Sequence, residues 1–121
     1  MKKITKMVCS LAIVGAISTT TAYAATSSVH VGGSNIAPTG PTISATNIGH
    51  TGENFGKVTF VSYAKKARAY QLDLTLNSAT LYAGNDFSTS LSPGSGKYYV
   101  KAKVTGDGAY YASGETSVWA R

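Results

Sequence analysis

The clearest pattern in the sequence is a strict alternation of apolar and polar residues over positions 98–104. One face of this run carries Tyr98, Val100, Ala102 and Val104, and the other carries Tyr99, Lys101 and Lys103. A two-residue period is typical of a β-strand that is buried on one side and solvated on the other. Gly106-Asp107-Gly108 then breaks the run, and residues 115–120 offer a return strand. We therefore predict that the stretch from Leu91 to Trp119 contains a β-hairpin.

Shorter strand-like segments precede this hairpin and are separated by turn residues. They lie at residues 43–46, 57–63, 69–76, 80–82 and 87–91. The run 69–76 also alternates, which predicts that its large apolar residues face the core, namely Tyr70, Leu72, Leu74 and Leu76. No segment has a helical period over two turns. About seven short strands predict an all-β fold, a single antiparallel sandwich of two sheets.

The first 24 residues have the pattern of a secretory signal peptide. Lysines follow Met1, the run 7–17 is almost entirely apolar, and Ala22-Tyr23-Ala24 fits the small-x-small cleavage pattern. An apolar run of roughly 11 residues is shorter than the ~20 needed to span a bilayer. We therefore expect cleavage after Ala24 and a mature protein without a transmembrane segment, which is extracellular or loosely associated with the cell surface.

The mature chain divides by composition into a leader and a domain. Residues 25–40 are rich in Ser, Thr, Gly and Pro, which is typical of a flexible linker. Only Val29-His30-Val31 could form a short edge strand within it. From Pro41 onward the strand pattern tightens, so residues 41–121 are predicted to be the β-sandwich domain.

The order of several residues in this domain resembles the fibronectin type III family, and in particular the divergent copies along secreted bacterial proteins. The resemblance rests on Phe60, Tyr70, Leu91-x-Pro93-Gly94 and Tyr98-x-Val100-x-Ala102, followed by the Gly-Asp-Gly loop. It covers about residues 41–121 and implies an immunoglobulin-like sandwich in which the Tyr98 hydroxyl closes a corner through a hydrogen bond. The family usually has tryptophan where this chain has Phe60, and it has no fixed aromatic residue at the position of Trp119.

Charge and cysteine content exclude several classes of function. Loss of Lys2, Lys3 and Lys6 with the signal peptide leaves 8 of the 11 basic residues against 5 acidic ones, a net charge of +3. This charge is too mild for the basic footprint of a nucleic-acid-binding protein. The single cysteine, Cys9, lies in the predicted signal peptide. The mature chain therefore has no disulfide, thiolate metal site or thiol nucleophile.

The sequence offers no residue to which catalysis can be assigned. His30 lies in the leader and His50 in a predicted turn, and spacing gives neither histidine a partner. An enzyme would need His50 and a carboxylate to converge, whereas the carboxylates are scattered over Glu53, Asp73, Asp86, Asp107 and Glu115. No loop supplies the several oxygen ligands of a calcium site. We therefore predict a protein that is not an enzyme and has no metal or cofactor.

Aromatic residues are the first group of candidate binding residues. Tyr110 and Tyr111 follow the Gly-Asp-Gly turn, and tyrosine gives a large contact area with a polar tip. If Val118 faces the core, Trp119 points outward, and an exposed indole beside Tyr99 would form a patch for a sugar or a partner. A register shift of one residue would bury Trp119 instead.

Lys101 and Lys103 are the second group, because they extend a basic stripe along the solvated face of the same strand. Such a stripe is either an ordinary solvated face or a patch for a polyanion. We predict a secreted binding module that contacts an extracellular protein or a cell-wall glycan or polyanion. The alternative is a small bacteriocin-like antimicrobial or toxin protein, which size, export and mild cationic charge also allow.

Overall fold

A computed structural model describes residues 25–105 and 111–121, which form eight β-strands. The strands are β1 (Thr26–Gly32), β2 (Ile43–Ala45), β3 (Ile48–Asn54), β4 (Phe60–Ala67), β5 (Leu74–Leu81), β6 (Asp86–Leu91), β7 (Gly96–Val104) and β8 (Ser113–Ala120). They make two four-stranded antiparallel sheets, in the orders β1-β8-β3-β6 and β2-β7-β4-β5. The prediction of an all-β sandwich is confirmed.

The core lies between the sheets and has two apolar clusters. The first is centred on Phe60 and Leu81, and the second on Ile48, Tyr98 and Val118. These side chains come from alternate positions of their strands, as expected when each sheet buries one face. The alternation in β7 is as predicted, since its apolar positions are all buried.

The predicted pairing of the last two strands is wrong. β7 pairs with β4 and β2, whereas β8 pairs with β1 and β3 in the opposite sheet. An alternating pattern indicates which side chains of a strand face the core, but it does not indicate which other strand pairs with it. The Gly-Asp-Gly turn expected between them lies outside the described residues.

The segment interpreted as a flexible leader is instead paired with the sandwich, and the possible edge strand at residues 29–31 is part of β1 at the edge of its sheet. β1 pairs with β8 over seven positions. Beyond β1, the Gly40 N–H donates to the Val100 carbonyl at 2.8 Å, and the Val104 N–H donates to the Ile36 carbonyl at 2.8 Å. Backbone hydrogen bonds thus fix a segment whose polar composition indicates flexibility. The predicted signal peptide lies outside the described residues and stays a prediction.

The strand predicted at residues 69–76 begins later than expected, as β5 at Leu74, and its buried residues differ from those predicted. Tyr70 is 99% exposed and Leu72 is 88% exposed, because residues 68–73 form a loop and β5 starts only at Leu74, itself 42% exposed. The pairing of β4 with β5 is irregular at Ala64/Lys65. A bulge of this kind changes the face of the residues after it, so the odd-numbered Leu81 is buried at the end of β5. The expected core face is wrong at Tyr70, Leu72 and Leu74, whereas Leu76 packs against the second cluster.

Tyr98 has the role that the family resemblance implies. Its side chain is buried, and its hydroxyl donates a hydrogen bond to the Gly94 carbonyl in the turn before β7. Gly94 has a φ of 93°, which is accessible to glycine without strain, and its N–H donates to the Thr46 carbonyl at 3.1 Å. The predicted hydrogen bond of the corner is confirmed.

Candidate functional site

The outward side of β4 and β7 is the most cationic surface that the described residues form. We call it the basic face; its residues are Tyr63, Lys65, Lys97, Tyr99, Lys101 and Lys103. They point outward because the alternate positions of both strands are buried in the core. Three predicted binding residues, Tyr99, Lys101 and Lys103, therefore lie together on this face.

Lysines and tyrosines interleave across the two strands of the basic face. Lys101 lies opposite Tyr63, and Tyr99 lies opposite Lys65. The Lys65 ammonium donates to the Thr75 hydroxyl of β5 at 2.8 Å. The pattern places an aromatic ring beside each of two cations, so one ligand can meet both charge and an apolar surface.

An open concavity of about 480 Å³ lies where the basic face meets the loop 68–73. It is lined by Lys65, Gln71, Leu72, Asp73, Tyr99 and Lys101. Lys65 and Asp73 are not among the binding residues that the sequence predicts. The alternation of residues 60–65 is enough to predict that Lys65 points outward. Asp73 reaches the concavity only because residues 68–73 form a loop, and no local pattern in the sequence indicates that loop.

Tyr99 and Asp73 are joined by a hydrogen bond from the tyrosine hydroxyl to the carboxylate. This bond, with a second from the Arg68 backbone N–H at 3.2 Å, lowers the pKa of Asp73. Burial and the neighbouring carboxylate raise the pKa of Tyr99 to about 12. At neutral pH the tyrosine is therefore a neutral donor held in place by an ionised acid.

The opposite outer surface, formed by β1, β8, β3 and β6, carries acidic residues. Glu53 lies directly opposite Asp86 on one side and Glu115 on the other. All three carboxylates are exposed, and Glu115 also lies 3.5 Å from the ring of His30. The two outer surfaces of the sandwich therefore differ in the sign of their charge.

Trp119 points outward as predicted, since Val118 is buried, but its predicted neighbour is wrong. The indole lies over Gly49 of β3, where a Cβ atom would overlap the ring. Trp119 is half-buried on the acidic side of the sandwich, whereas Tyr99 faces outward from the other sheet. The sequence pattern gave the face of each residue correctly, but their proximity rested on the hairpin that does not form.

Tyr111 lies at one end of the sandwich and is 79% exposed, and Tyr110 lies outside the described residues. Exposed apolar side chains on neighbouring loops share this end, namely Ile36, Phe55 and Tyr82. The Phe55 N–H donates to the Ser113 carbonyl at 2.9 Å, which places Phe55 near Tyr111. The predicted binding residues therefore do not form one patch: Tyr99 lies with the lysines, Trp119 lies on the opposite outer surface, and Tyr111 lies at one end of the sandwich.

His50 is a buried strand residue rather than a turn residue. The Asn77 amide N–H donates to His50 Nδ1 at 2.9 Å, so Nε2 carries the proton and donates to Ser62 Oγ at 2.7 Å. The chain of hydrogen bonds continues through Thr116 to the Thr51 carbonyl. Burial lowers the pKa of His50 to about 4. In this arrangement Nε2 cannot accept the Ser62 proton, and the network joins the two sheets.

Within residues 25–105 and 111–121, no three His, Cys, Asp or Glu side chains are grouped so that they could hold a metal ion. The same residues contain no helix that is long and apolar enough to cross a membrane.

Comparison with protein-family models, with curated proteins and with solved structures found no match to this chain.

Proposed function

We propose that this chain is a secreted, non-enzymatic binding module that contacts a polyanionic cell-wall polysaccharide through its basic face. The observation that carries the proposal is the interleaving of Lys65 and Lys101 with Tyr63 and Tyr99 on one outer surface. Cations attract the charged groups of a polyanion, and tyrosine rings offer flat surfaces to its sugar units.

The geometry favours an extended ligand over a small one. Alternate residues of a strand lie roughly 7 Å apart, so the outward residues 97, 99, 101 and 103 form a line along β7. The concavity beside this line is open rather than enclosed. A linear polymer with repeated negative charges can contact several of these positions at once.

We also propose that the sandwich is of the fibronectin type III, immunoglobulin-like form. The buried Phe60 and the hydrogen bond of Tyr98 to Gly94 support this assignment. The position of β8 departs from it, because the last strand of an immunoglobulin domain lies beside the preceding strand in the same sheet. Here β8 pairs with β3 instead.

The test is retention of residues 25–121, which contain all eight described strands, on insoluble cell-wall material. We expect retention at an ionic strength of ~0.01 M, where the Debye length is about 30 Å, and release at ~1 M, where it is about 3 Å. The Lys101→Gln and Lys103→Gln variants should each be released at lower salt than the wild type.

Lys57→Gln is the matched control, because it removes the same charge from an exposed position in the loop before β4, outside the two strands that form the basic face. If all three variants are released at the same salt concentration, retention depends on net charge alone and the proposed site is wrong. Retention that persists at ~1 M salt would contradict a polyanionic ligand and would favour a neutral glycan held by aromatic rings. Absence of retention at either salt concentration would reject wall binding altogether.

A further inference from the structure

The loop 68–73 between β4 and β5 presents two large side chains to solvent. Tyr70 is 99% exposed and Leu72 is 88% exposed, the highest values among the exposed large hydrophobic residues of the described chain. Exposed apolar residues that stand singly are common on protein surfaces. Two on one short loop, followed by Leu74 at 42% exposure, form a local apolar projection.

This loop is held in shape by its own hydrogen bonds. The Arg68 N–H donates to Asp73 Oδ1 at 3.2 Å across the base of the loop, and Arg68 Nε donates to the Leu72 carbonyl at 2.8 Å. Asp73 is in turn bound by the Tyr99 hydroxyl. Tyr70 and Leu72 are therefore presented on a braced loop, which reduces the conformational entropy lost when a partner covers them.

Several cations lie next to the apolar projection along the chain or in the sheet. Arg68 belongs to the loop, Lys65 lies near the end of the strand that leads into it, and Lys97 is exposed opposite Ala67. Asp73 is the single acid of the loop, and it already accepts the hydrogen bonds of Arg68 and Tyr99. An apolar tip flanked by cations matches the surface of an anionic bilayer, which offers an acyl boundary beneath negative head groups.

We propose that the loop 68–73 binds an anionic lipid bilayer, with Tyr70 and Leu72 inserted at the interface and the surrounding cations against the head groups. Tyrosine suits this position because its ring is apolar and its hydroxyl remains in the polar layer. The contact borders the basic face, since Lys65 and Leu72 also line the concavity there, but it does not depend on the wall contact proposed above.

A second copy of the chain fits this surface less well than a bilayer does. A stable protein interface buries about 800 Å² on each partner, whereas a buried tyrosine contributes roughly 150–250 Å². A two-fold contact through the loop would also bring Arg68 and Lys65 of one copy close to the same cations of the other. Association of two copies is therefore an outcome of the test rather than the proposal.

The first experiment is co-sedimentation of residues 25–121 with vesicles of phosphatidylcholine alone or with about a third phosphatidylglycerol. We expect binding to the anionic vesicles and little to the neutral ones. The double variant Tyr70→Ser with Leu72→Ser should bind at least tenfold more weakly, and Arg68→Gln roughly fivefold more weakly. The matched control Tyr82→Ser, which removes a tyrosine 62% exposed at the opposite end, should bind like the wild type.

A fluorescent label measures insertion directly. Residues 25–121 contain no cysteine, so Leu72→Cys provides a single site for an environment-sensitive dye, and Tyr82→Cys provides the control site. We expect a blue shift of the dye at position 72 when anionic vesicles are added, and none at position 82.

Three results would overturn the lipid proposal. They are equal vesicle binding by the wild type and the double variant, a dye at position 72 that remains solvated on bound protein, and a blue shift that follows protein concentration without vesicles. The last result would assign the loop to contact between two copies. Tyr70→Ser alone leaves the lining of the concavity and the lysines of the basic face intact, so it should weaken vesicle binding while its salt-sensitive wall retention is unchanged, and the two proposals can fail independently.

Discussion

Protonation of His50 should destabilise the folded chain as the pH falls from neutral to mildly acidic values. The ring is fully buried between the sheets, with Nδ1 accepting from Asn77 and Nε2 donating to Ser62. A second proton on the ring would leave Nδ1 without a lone pair, so it would face the Asn77 donor, and it would place a charge among apolar neighbours such as Phe87. Burial therefore lowers the pKa of His50 to about 4.

The size of the effect follows from the two states of the histidine. The unfolded chain has a histidine with the ordinary pKa of 6.5, and the folded chain has one of about 4. Above the higher value both forms are neutral and the free energy of unfolding is unaffected. Below it the unfolded state takes up the proton first, so the free energy of unfolding falls with pH. From the difference between the two pKa values, the free energy of unfolding should fall by roughly 2 kcal/mol at about pH 5. It should fall by roughly 3 kcal/mol when the pH reaches the pKa of the folded state.

Urea unfolding of residues 25–121 at about pH 7.5 and about pH 5 measures this loss, in a range above the ordinary pKa values of carboxylates. His50→Gln should be less stable than the wild type at the higher pH, because the hydrogen-bond chain is altered, but it should lose little further stability at the lower pH. His30→Gln is the matched control: His30 is exposed, so this variant should keep the wild-type pH dependence.

A wild-type free energy of unfolding that is the same at both pH values would contradict the predicted pH dependence. A His50→Gln variant that loses as much stability as the wild type on acidification would contradict it as well. In either case the neutral, buried state of the ring would not be coupled to folding as the network implies.

Three further substitutions test other parts of the sandwich. Tyr98→Phe should lose on the order of 1 kcal/mol, because the Gly94 carbonyl loses its donor, and an unchanged melting midpoint would contradict this. Leu81→Ala should cost ~2–5 kcal/mol in urea unfolding, since Leu81 is 1% exposed, whereas Leu74→Ala should cost well under 1 kcal/mol. Equal losses would mean that the face of β5 is wrongly assigned. Glu53→Gln should raise the urea midpoint slightly, because removing repulsion from two facing carboxylates should raise the free energy of unfolding by roughly a few tenths of a kcal/mol at most. A lowered midpoint would contradict the repulsion.

The sequence predicts the faces of the strands better than their partners. The alternation from Tyr98 to Val104 identified both the core side and the basic side of β7, because burial of one face imposes that pattern directly. The neighbour of β8 is a property of the whole chain, and no local pattern encodes it. Trp119 shows the difference, since its outward direction follows from its own strand but its distance from Tyr99 depends on the topology.

Two other failures have local physical causes. Tyr70 and Leu72 alternate like strand residues, yet the hydrogen bonds of Arg68 and Asp73 hold that segment as a loop. β1 has few large apolar residues, so its composition indicates a linker, but its backbone is paired throughout with β8. The part of the candidate site that β7 supplies was therefore visible in the sequence, whereas the part supplied by the loop required the fold.

The central position of β8 constrains the order in which the first sheet can be assembled. β8 lies between β1 and β3, so neither of these early strands has that neighbour until residues 113–120 have been synthesised. The contact of Ser28 with Ser117, for example, joins residues 89 positions apart. Contacts of such long sequence separation slow folding, because loop closure must precede them. A nascent chain that is still short of residue 113 therefore cannot complete this sheet, and it remains incompletely folded until the end of synthesis.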